Sequence, residues 1–312
     1  ESVFVVKSTV PPGTVAGLRK RLADRGSQAR IVSHPEFLRE GKAVDDFLSP
    51  DRVVVGAYER DDADLVASLY RDLDTEVVVT DPTSSEMIKY ASNSYLAARL
   101  TFVNTLANVC EAVGADVLDV IHGMGLDHRI GPHFLQPGPG YGGSCFPKDT
   151  AALIAVAVDA GYEFDLLKAV IEADHEQRRR IADKVRQAAG GGLKGRRIAM
   201  WGVAFKAGTD DVRESPALRI ARLLLADGAE VVAYDPEAVS SELEQAPDPI
   251  AAVAGADVLL VATEWPEFVS VDMKQVAAAM KGYRVVDARN LLDPAAVRAA
   301  GLDYWGLGRP GA

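Results

Sequence analysis

Cysteine is scarce in this chain: 312 residues hold only two, Cys110 and Cys145. That usage excludes a disulfide framework and fits a reducing cytoplasm. Long apolar runs are missing too. None reaches the roughly 18–20 residues a membrane span needs, and no signal-peptide pattern opens the chain. Positive charge is in deficit, with 34 Lys and Arg against 45 Asp and Glu and a net charge of -11. This balance excludes nucleic acid as the default partner. It leaves room for a small anion, because a few placed cations can build a local site. Finally, no G-x-G-x-x-G follows any strand, so the dinucleotide fingerprint is not in view. "GMG" at 123–125 closes a helix instead. No metal site is expected.

What is present is α/β alternation. "SVFVVKST", "ARIVSHPEF", "DRVVVGA" and "EVVVTDP" read as strands with helical patterns between them, which implies βαβ units and a mostly parallel sheet. "SSEMIKYASNSYLAARLTFVNTLANVCEAVGA" then holds a helical apolar period, with Ser84 or Ser85 as N-cap. "DVLDVIHGM", "KDTAALIAVAVDA" and "DLLKAVIEADHEQRRRIADKVRQAA" continue the helical region, the last two separated at Gly161. Gly190, Gly191 and Gly192 mark a boundary. "RRIAMWGVAF", "EVVAYDP", "DVLLVAT", "YRVVDAR" and "LDYWGLG" form a second α/β sheet. The expected division is a partial Rossmann-like domain over 1–82, a central helical region over 83–192 and a second Rossmann-like domain over 193–312.

Three stretches carry chemistry. "GYGGSCFPKD" places Cys145 between a glycine cluster and a helix start marked by Pro147. A helix N-terminus favours negative charge and can lower a thiol pKa. A lone cysteine is more often a buried structural residue, but the glycines and the helix start favour a nucleophile. In "EMIKYASN", Lys89 and Asn93 share one helix face. Lysine is ordinarily a surface residue, yet this helix is apolar nearly all round and should be buried. "SHPEFLREG" carries Glu36 and Glu40 after a strand, and "KSTVPPGT" carries Thr9 after another. Ligands gather at such strand ends, although a glutamate there is as readily surface charge. In "GVAFKAGTDDVRESPA", Lys206 and Arg213 are available for phosphate oxygens.

Together and in this order, "KSTVPPGT", "PEFLREG", "EMIKYASNSYLAARLTFVN", "DHRIG", "PGPGYGGSCFPKD" and "AFKAGTDDVRESPA" resemble the UDP-glucose/GDP-mannose dehydrogenase family over essentially the whole chain. Phe146 in "SCFPKD" is most like the UDP-glucose branch. The resemblance implies NAD-dependent oxidation of a nucleotide-sugar C6 alcohol to a carboxylate, through a cysteine thiohemiacetal and thioester. It implies Cys145 as nucleophile, with Lys89 and Asn93 stabilising the oxyanion at C6. Asp149 would handle the hydrolytic water, assisted by Thr9 and Glu40, and Glu36 would lie near the sugar. The nucleotide sugar would be bound by Phe134, Leu135, Tyr141, Gly142, Lys206 and Arg289. Arg129 would reach a neighbouring subunit's site in a homodimer built through the central helices. Thr9, Glu40, Lys148 and Arg213 would lie near the cofactor.

The family begins with a glycine fingerprint, whereas this chain opens on Glu1 inside a strand pattern. The expectation is therefore that the first part of the NAD-binding domain is missing, leaving a chain that binds UDP-sugar without turnover. Two other readings stay open: a GDP-mannose dehydrogenase, and a non-catalytic sugar-nucleotide-binding dimerisation fragment.

Overall fold

The computed structural model describes residues 2–310. The chain forms two compact units, Glu1–Tyr95 with Lys148–Phe164, and Leu96–Pro147 with Asp165–Ala312. Among the described residues no helix is long and apolar enough to cross a membrane.

The first unit contains β1 (Val3–Val6), α1 (Thr14–Ala23), β2 (Arg30–Ser33), α2 (Ala43–Leu48), β3 (Arg52–Gly56), α3 (Arg60–Ala67) and β4 (Glu76–Thr80). Its valine-rich strands bury Val32, Val53 and Val55 against Ala63 and Val66 of α3, as β-branched residues do on a pleated surface. The sheet order is β1-β2-β3-β4. The β1–β2 and β3–β4 pairs are parallel, but β2 meets β3 antiparallel at Ser33 and Gly56. The expected parallel character thus holds within each pair and fails between them. The β2–β3 connection carries only α2, six residues with none buried, not a helix packed across the sheet.

Four long or short helices follow: α4 (Pro82–Val113), α5 (Val117–Gly125), α6 (Phe146–Asp159) and α7 (Asp165–Ala188). The N-cap of α4 is not Ser84 or Ser85. Asp81 Oδ1 accepts the Ser84 amide at 2.9 Å, and Pro82 opens the first turn where its missing N–H costs nothing. Gly161, at φ 80°, separates α6 from α7.

The second unit's sheet uses β5 (Arg197–Trp201), β6 (Glu230–Tyr234), β7 (Glu244–Gln245), β8 (Val258–Val261), β9 (Arg284–Asp287) and β10 (Asp303–Gly306). Helices α8 (Pro216–Ala226), α9 (Pro249–Val253), α10 (Pro266–Val269), α11 (Met273–Ala279) and α12 (Pro294–Ala299) connect them. Every pair is parallel, in the order β10-β9-β8-β5-β6-β7. β8 is buried at all four positions, as an apolar run covered on both faces should be. Sequence reading missed β7, whose two polar residues carry no strand pattern. The strand order is that of a doubly wound fold, and it reverses between β5 and β8, where such sheets open a ligand crevice.

Gly202 leaves β5 at this reversal with φ 93°, and a Cβ there would lie 2.3 Å from Thr263 Cβ. Both the left-handed backbone and the contact exclude a side chain. Gly202→Ala should therefore destabilise the chain by about 2–4 kcal/mol through strain and overpacking. Urea unfolding checks this; an unchanged midpoint would mean Thr263 yields freely.

Candidate active site

In the first unit, the strand ends deliver acidic groups to the start of α4. Glu36 follows β2, and its Oε1 lies 3.3 Å from Lys89 Nζ. Lys89 is buried, with its side chain 5% exposed, and its ammonium also stands 5.3 Å from the Phe37 ring centre. The surface-lysine reading is thereby excluded. A buried ammonium needs such an anion, because its desolvation is otherwise uncompensated. One turn further along α4, Asn93 Nδ2 donates to Asp149 Oδ2 at 2.6 Å. Asp149 is fully buried in the first turn of α6, and its other oxygen pairs with Lys148 Nζ at 2.5 Å. Thr9 and Glu40 are half-buried in the segments after β1 and β2.

Two residues that sequence reading missed hold these segments. Glu86 on α4 accepts the amides of Gly13 at 2.6 Å and Val15 at 2.8 Å. It therefore caps α1 from a distance and fixes the turn after Thr9; burial raises its carboxyl pKa. His34, just before Pro35 and Glu36, is buried. Its Nδ1 faces the Val54 carbonyl at 2.7 Å, so that nitrogen carries the proton, while Nε2 faces the Tyr70 hydroxyl at 2.6 Å. Burial lowers its pKa and favours the neutral ring this pattern requires.

In the second unit, the loop between α5 and α6 carries Cys145. The thiol is exposed, whereas Cys110 is buried. Gly142 and Gly143 pack so closely on the loop after β5 that a Cβ would meet Glu214 O at 2.6 Å and the Phe205 ring at 2.9 Å. The Gly143 amide donates to Arg213 O at 3.0 Å. Gly138, Gly140 and Gly143 do have G-x-G-x-x-G spacing and precede a helix, but no strand leads into them.

This loop is held from α4 and α7. The Gly138 amide donates to Asn104 Oδ1 at 2.8 Å, and its carbonyl accepts from Gln177 Nε2 at 3.0 Å. The Tyr141 amide donates to Asp174 Oδ1 at 2.9 Å, and its carbonyl accepts from Arg178 Nη2 at 3.0 Å. Asp174 and Arg178 form a buried ion pair one helical turn apart. Asn104, Asp174, Gln177 and Arg178 were not anticipated. A signal existed: Asp174, Gln177 and Arg178 interrupt the stripe Leu167, Val170, Ile181, Val185 on the buried face of α7.

At the sheet reversal, Arg289 follows β9. Asp287 shapes its turn by accepting the amides of Arg289 at 3.0 Å and Leu292 at 2.8 Å. The Arg289 Nε lies 3.0 Å from Glu264 and donates to Ala262 O at 3.1 Å. Lys206, half-buried after β5, has its ammonium 5.4 Å from the Phe205 ring centre. Arg213 pairs with Asp211 at 2.8 Å and its side chain is 66% exposed. In the loop after α5, Arg129 pairs with Asp127 at 2.6 Å and is also largely exposed. Phe134 is partly exposed at φ 57°. The buried Leu135 side chain joins the cluster of Val103, Ala107 and Cys110.

Three family models match the chain, all of the UDP-glucose/GDP-mannose dehydrogenase family: the NAD binding domain at 1–74, the central domain at 83–176 and the UDP binding domain at 199–294. The first match does not support the expected loss of part of the NAD-binding domain. A UDP-glucose 6-dehydrogenase of Rickettsia conorii is 40% identical over 99% of this chain and 73% of its own length. UDP-glucose 6-dehydrogenase TuaD of Bacillus subtilis is 43% identical over 99% and 69%. Among solved structures, a UDP-glucose dehydrogenase from the archaeon Pyrobaculum islandicum aligns with TM-score 0.89 and 38% identity, covering 98% of this chain and 71% of that one.

Two predictions follow from exposure and burial. Limited iodoacetamide labelling should modify Cys145 and spare Cys110, because a buried thiol is inaccessible; peptide mapping that found equal labelling would refute this. Burial raises the Asp174 carboxyl from its ordinary 3.8 to about 6. The folded chain then holds a proton that the unfolded chain has lost, so the stability present below pH ~4 declines as pH rises towards about 6. Unfolding measured across this window should be steeper for the native chain than for Asp174→Asn, and parallel profiles would contradict it.

Proposed function

The chain belongs to the UDP-glucose/GDP-mannose dehydrogenase family of NAD-dependent oxidoreductases, and from that premise we propose that it oxidises UDP-glucose at C6 to UDP-glucuronate. The observation that carries the reading is an exposed thiol, Cys145, held at the start of α6 on a glycine loop with no room for side chains. Roughly 40% identity to proteins named UDP-glucose 6-dehydrogenase favours UDP-glucose over GDP-mannose.

Bound NAD⁺ supplies the hydride acceptor. The residues we assign near it are Thr9, Glu40, Lys148 and Arg213. Lys148 beside Asp149 and Arg213 beside Asp211 are cations with 56% and 66% of their side chains exposed, the type of group that binds phosphate oxygens. The amides at the start of α1 do not serve, since Glu86 occupies them.

Loss of a hydride and a proton turns the C6 alcohol into an aldehyde, to which Cys145 Sγ adds, giving a thiohemiacetal. Loss of a second hydride and proton leaves a thioester, which water releases as the acid and the free thiol, so each turnover consumes two NAD⁺. Covalent capture converts an aldehyde into an oxidisable adduct and retains it between steps. Lys89 and Asn93 offer a buried cation and an amide donor for the C6 oxyanion. Asp149 orients the hydrolytic water, with Thr9 and Glu40 assisting, and Glu36 contacts the sugar while neutralising Lys89. Lys206 and Arg289 stand at the strand reversal of the second sheet, where a doubly wound fold binds nucleotides, and Phe134, the Leu135 backbone, Tyr141 and Gly142 wrap the ligand.

Homodimerisation through the central helices is supported by the outer face of α4, where Phe102, Val109 and Val113 are exposed at 57%, 53% and 71%. Such a row of large apolar groups is typical of a covered surface, and we assign Arg129, exposed beside Asp127, to the neighbouring subunit's site. We assign the working division 1–82, 83–192 and 193–312, and a cytoplasmic location consistent with two unpaired thiols.

Cys145→Ser should keep UDP-glucose binding by calorimetry yet form no UDP-glucuronate, because an unactivated hydroxyl is a poor nucleophile. Normal acid production would remove the covalent mechanism. Lys89→Ala should slow turnover by roughly 10²–10³, the usual loss on deleting an oxyanion donor. Tighter binding of GDP-mannose than of UDP-glucose would reassign the substrate.

A further inference from the structure

The segment 138–143 cannot set its own shape. Four of its six residues are glycine and one is proline, so it has almost no side chains of its own to pack, and its free form would sample many backbone states. The fold supplies the missing constraint through side chains of α7. Asp174, 1% exposed, takes the Tyr141 amide, and Arg178, 6% exposed, gives to the Tyr141 carbonyl. The peptide groups on either side of Tyr141 are thereby held by one ion pair. The approach is tight: a Cβ on Gly140, at φ 115°, would lie 2.6 Å from Asp174 Oδ1.

A buried ion pair is a weak means of gaining stability, since apolar residues of equal volume often serve as well. Its geometric content is the stronger reason for its presence. A carboxylate and a guanidinium fix two hydrogen-bond directions at once, whereas an apolar contact fixes none.

We infer that Asp174 is a positioning residue: acting through the Tyr141 amide and in concert with Arg178, it sets the conformation of the loop that presents Tyr141, Gly142 and Cys145. As a statement about turnover this rests on the proposed dehydrogenase reading. As a statement about the loop it does not.

The test uses the full chain with Asp174→Ala and Asp174→Asn. The asparagine retains an oxygen for the Tyr141 amide and removes the charge, so it separates the hydrogen bond from the ion pair. Hydrogen exchange of the 138–143 peptide needs no ligand. Asp174→Ala should speed exchange at the Tyr141 amide by about tenfold or more, the loss of one buried hydrogen bond, with peptides of the second sheet unchanged; Asp174→Asn should restore most of the protection. In parallel, UDP-glucose affinity should fall about tenfold in Asp174→Ala and recover in Asp174→Asn. If Asp174→Ala fails to fold, the loop in Asp174→Asn decides: it should stay protected, and general deprotection of the chain would instead mean a purely structural pair. Unchanged exchange at Tyr141 in a folded Asp174→Ala overturns the inference. If the variants show the exchange effect while native protein binds no UDP-glucose, the substrate reading is overturned and the clamp stands.

Discussion

A loop of glycine and proline has no enthalpy of its own to spend against its conformational freedom, and in this chain it precedes the one exposed thiol. Its shape comes from hydrogen bonds delivered by buried side chains. Asn104 and Gln177 hold Gly138 by its amide and carbonyl, and Asp174 and Arg178 hold Tyr141 in the same two-handed way. These bonds form where water cannot compete, so each has more directional force than it would at the surface. Glycine is then the only residue that fits: Gly142 against Glu214 and Gly143 against Phe205 leave no volume for a Cβ.

The second sheet provides the rigid frame for the rest of that unit. Its buried parallel strands run in a doubly wound order, and the ends of β5, β8 and β9 bring Lys206, Thr263 and Arg289 to the reversal. Carboxylates do the local shaping. Asp235 accepts the amides of Val203 and Ala204 at 2.7 and 3.0 Å, and Asp287 accepts those of Arg289 and Leu292. These acids serve the backbone and set the turns that follow β5 and β9.

In the first unit the same logic operates on charge. Lys89 is buried because Glu36 and the Phe37 ring receive it, and Asn93 donates to a fully buried Asp149. The reactive-looking residues are consequently pre-aligned by pairs, at the desolvation cost that buried ions always carry. Glu86 and His34 add nothing chemical, yet they fix the segments that follow β1 and β2.

The sequence by itself determined the alternation of strands and helices, the helix start behind Cys145, the shared face of Lys89 and Asn93, and the motifs that resemble a known family. These are properties of local pattern and spacing, and local pattern survives in a string of letters. It could not determine the antiparallel meeting of β2 with β3 or the two-residue β7, because pairing partners come from distant segments. Nor could it reveal the duty of Asp174, Gln177 and Arg178, which look like ordinary helix polar residues until burial on α7 turns them inward. That the Leu135 side chain joins the core with Val103, Ala107 and Cys110 is likewise visible only in the packed structure. Tertiary structure decided these because burial, and the hydrogen bonds that burial makes obligatory, exist only once remote segments meet.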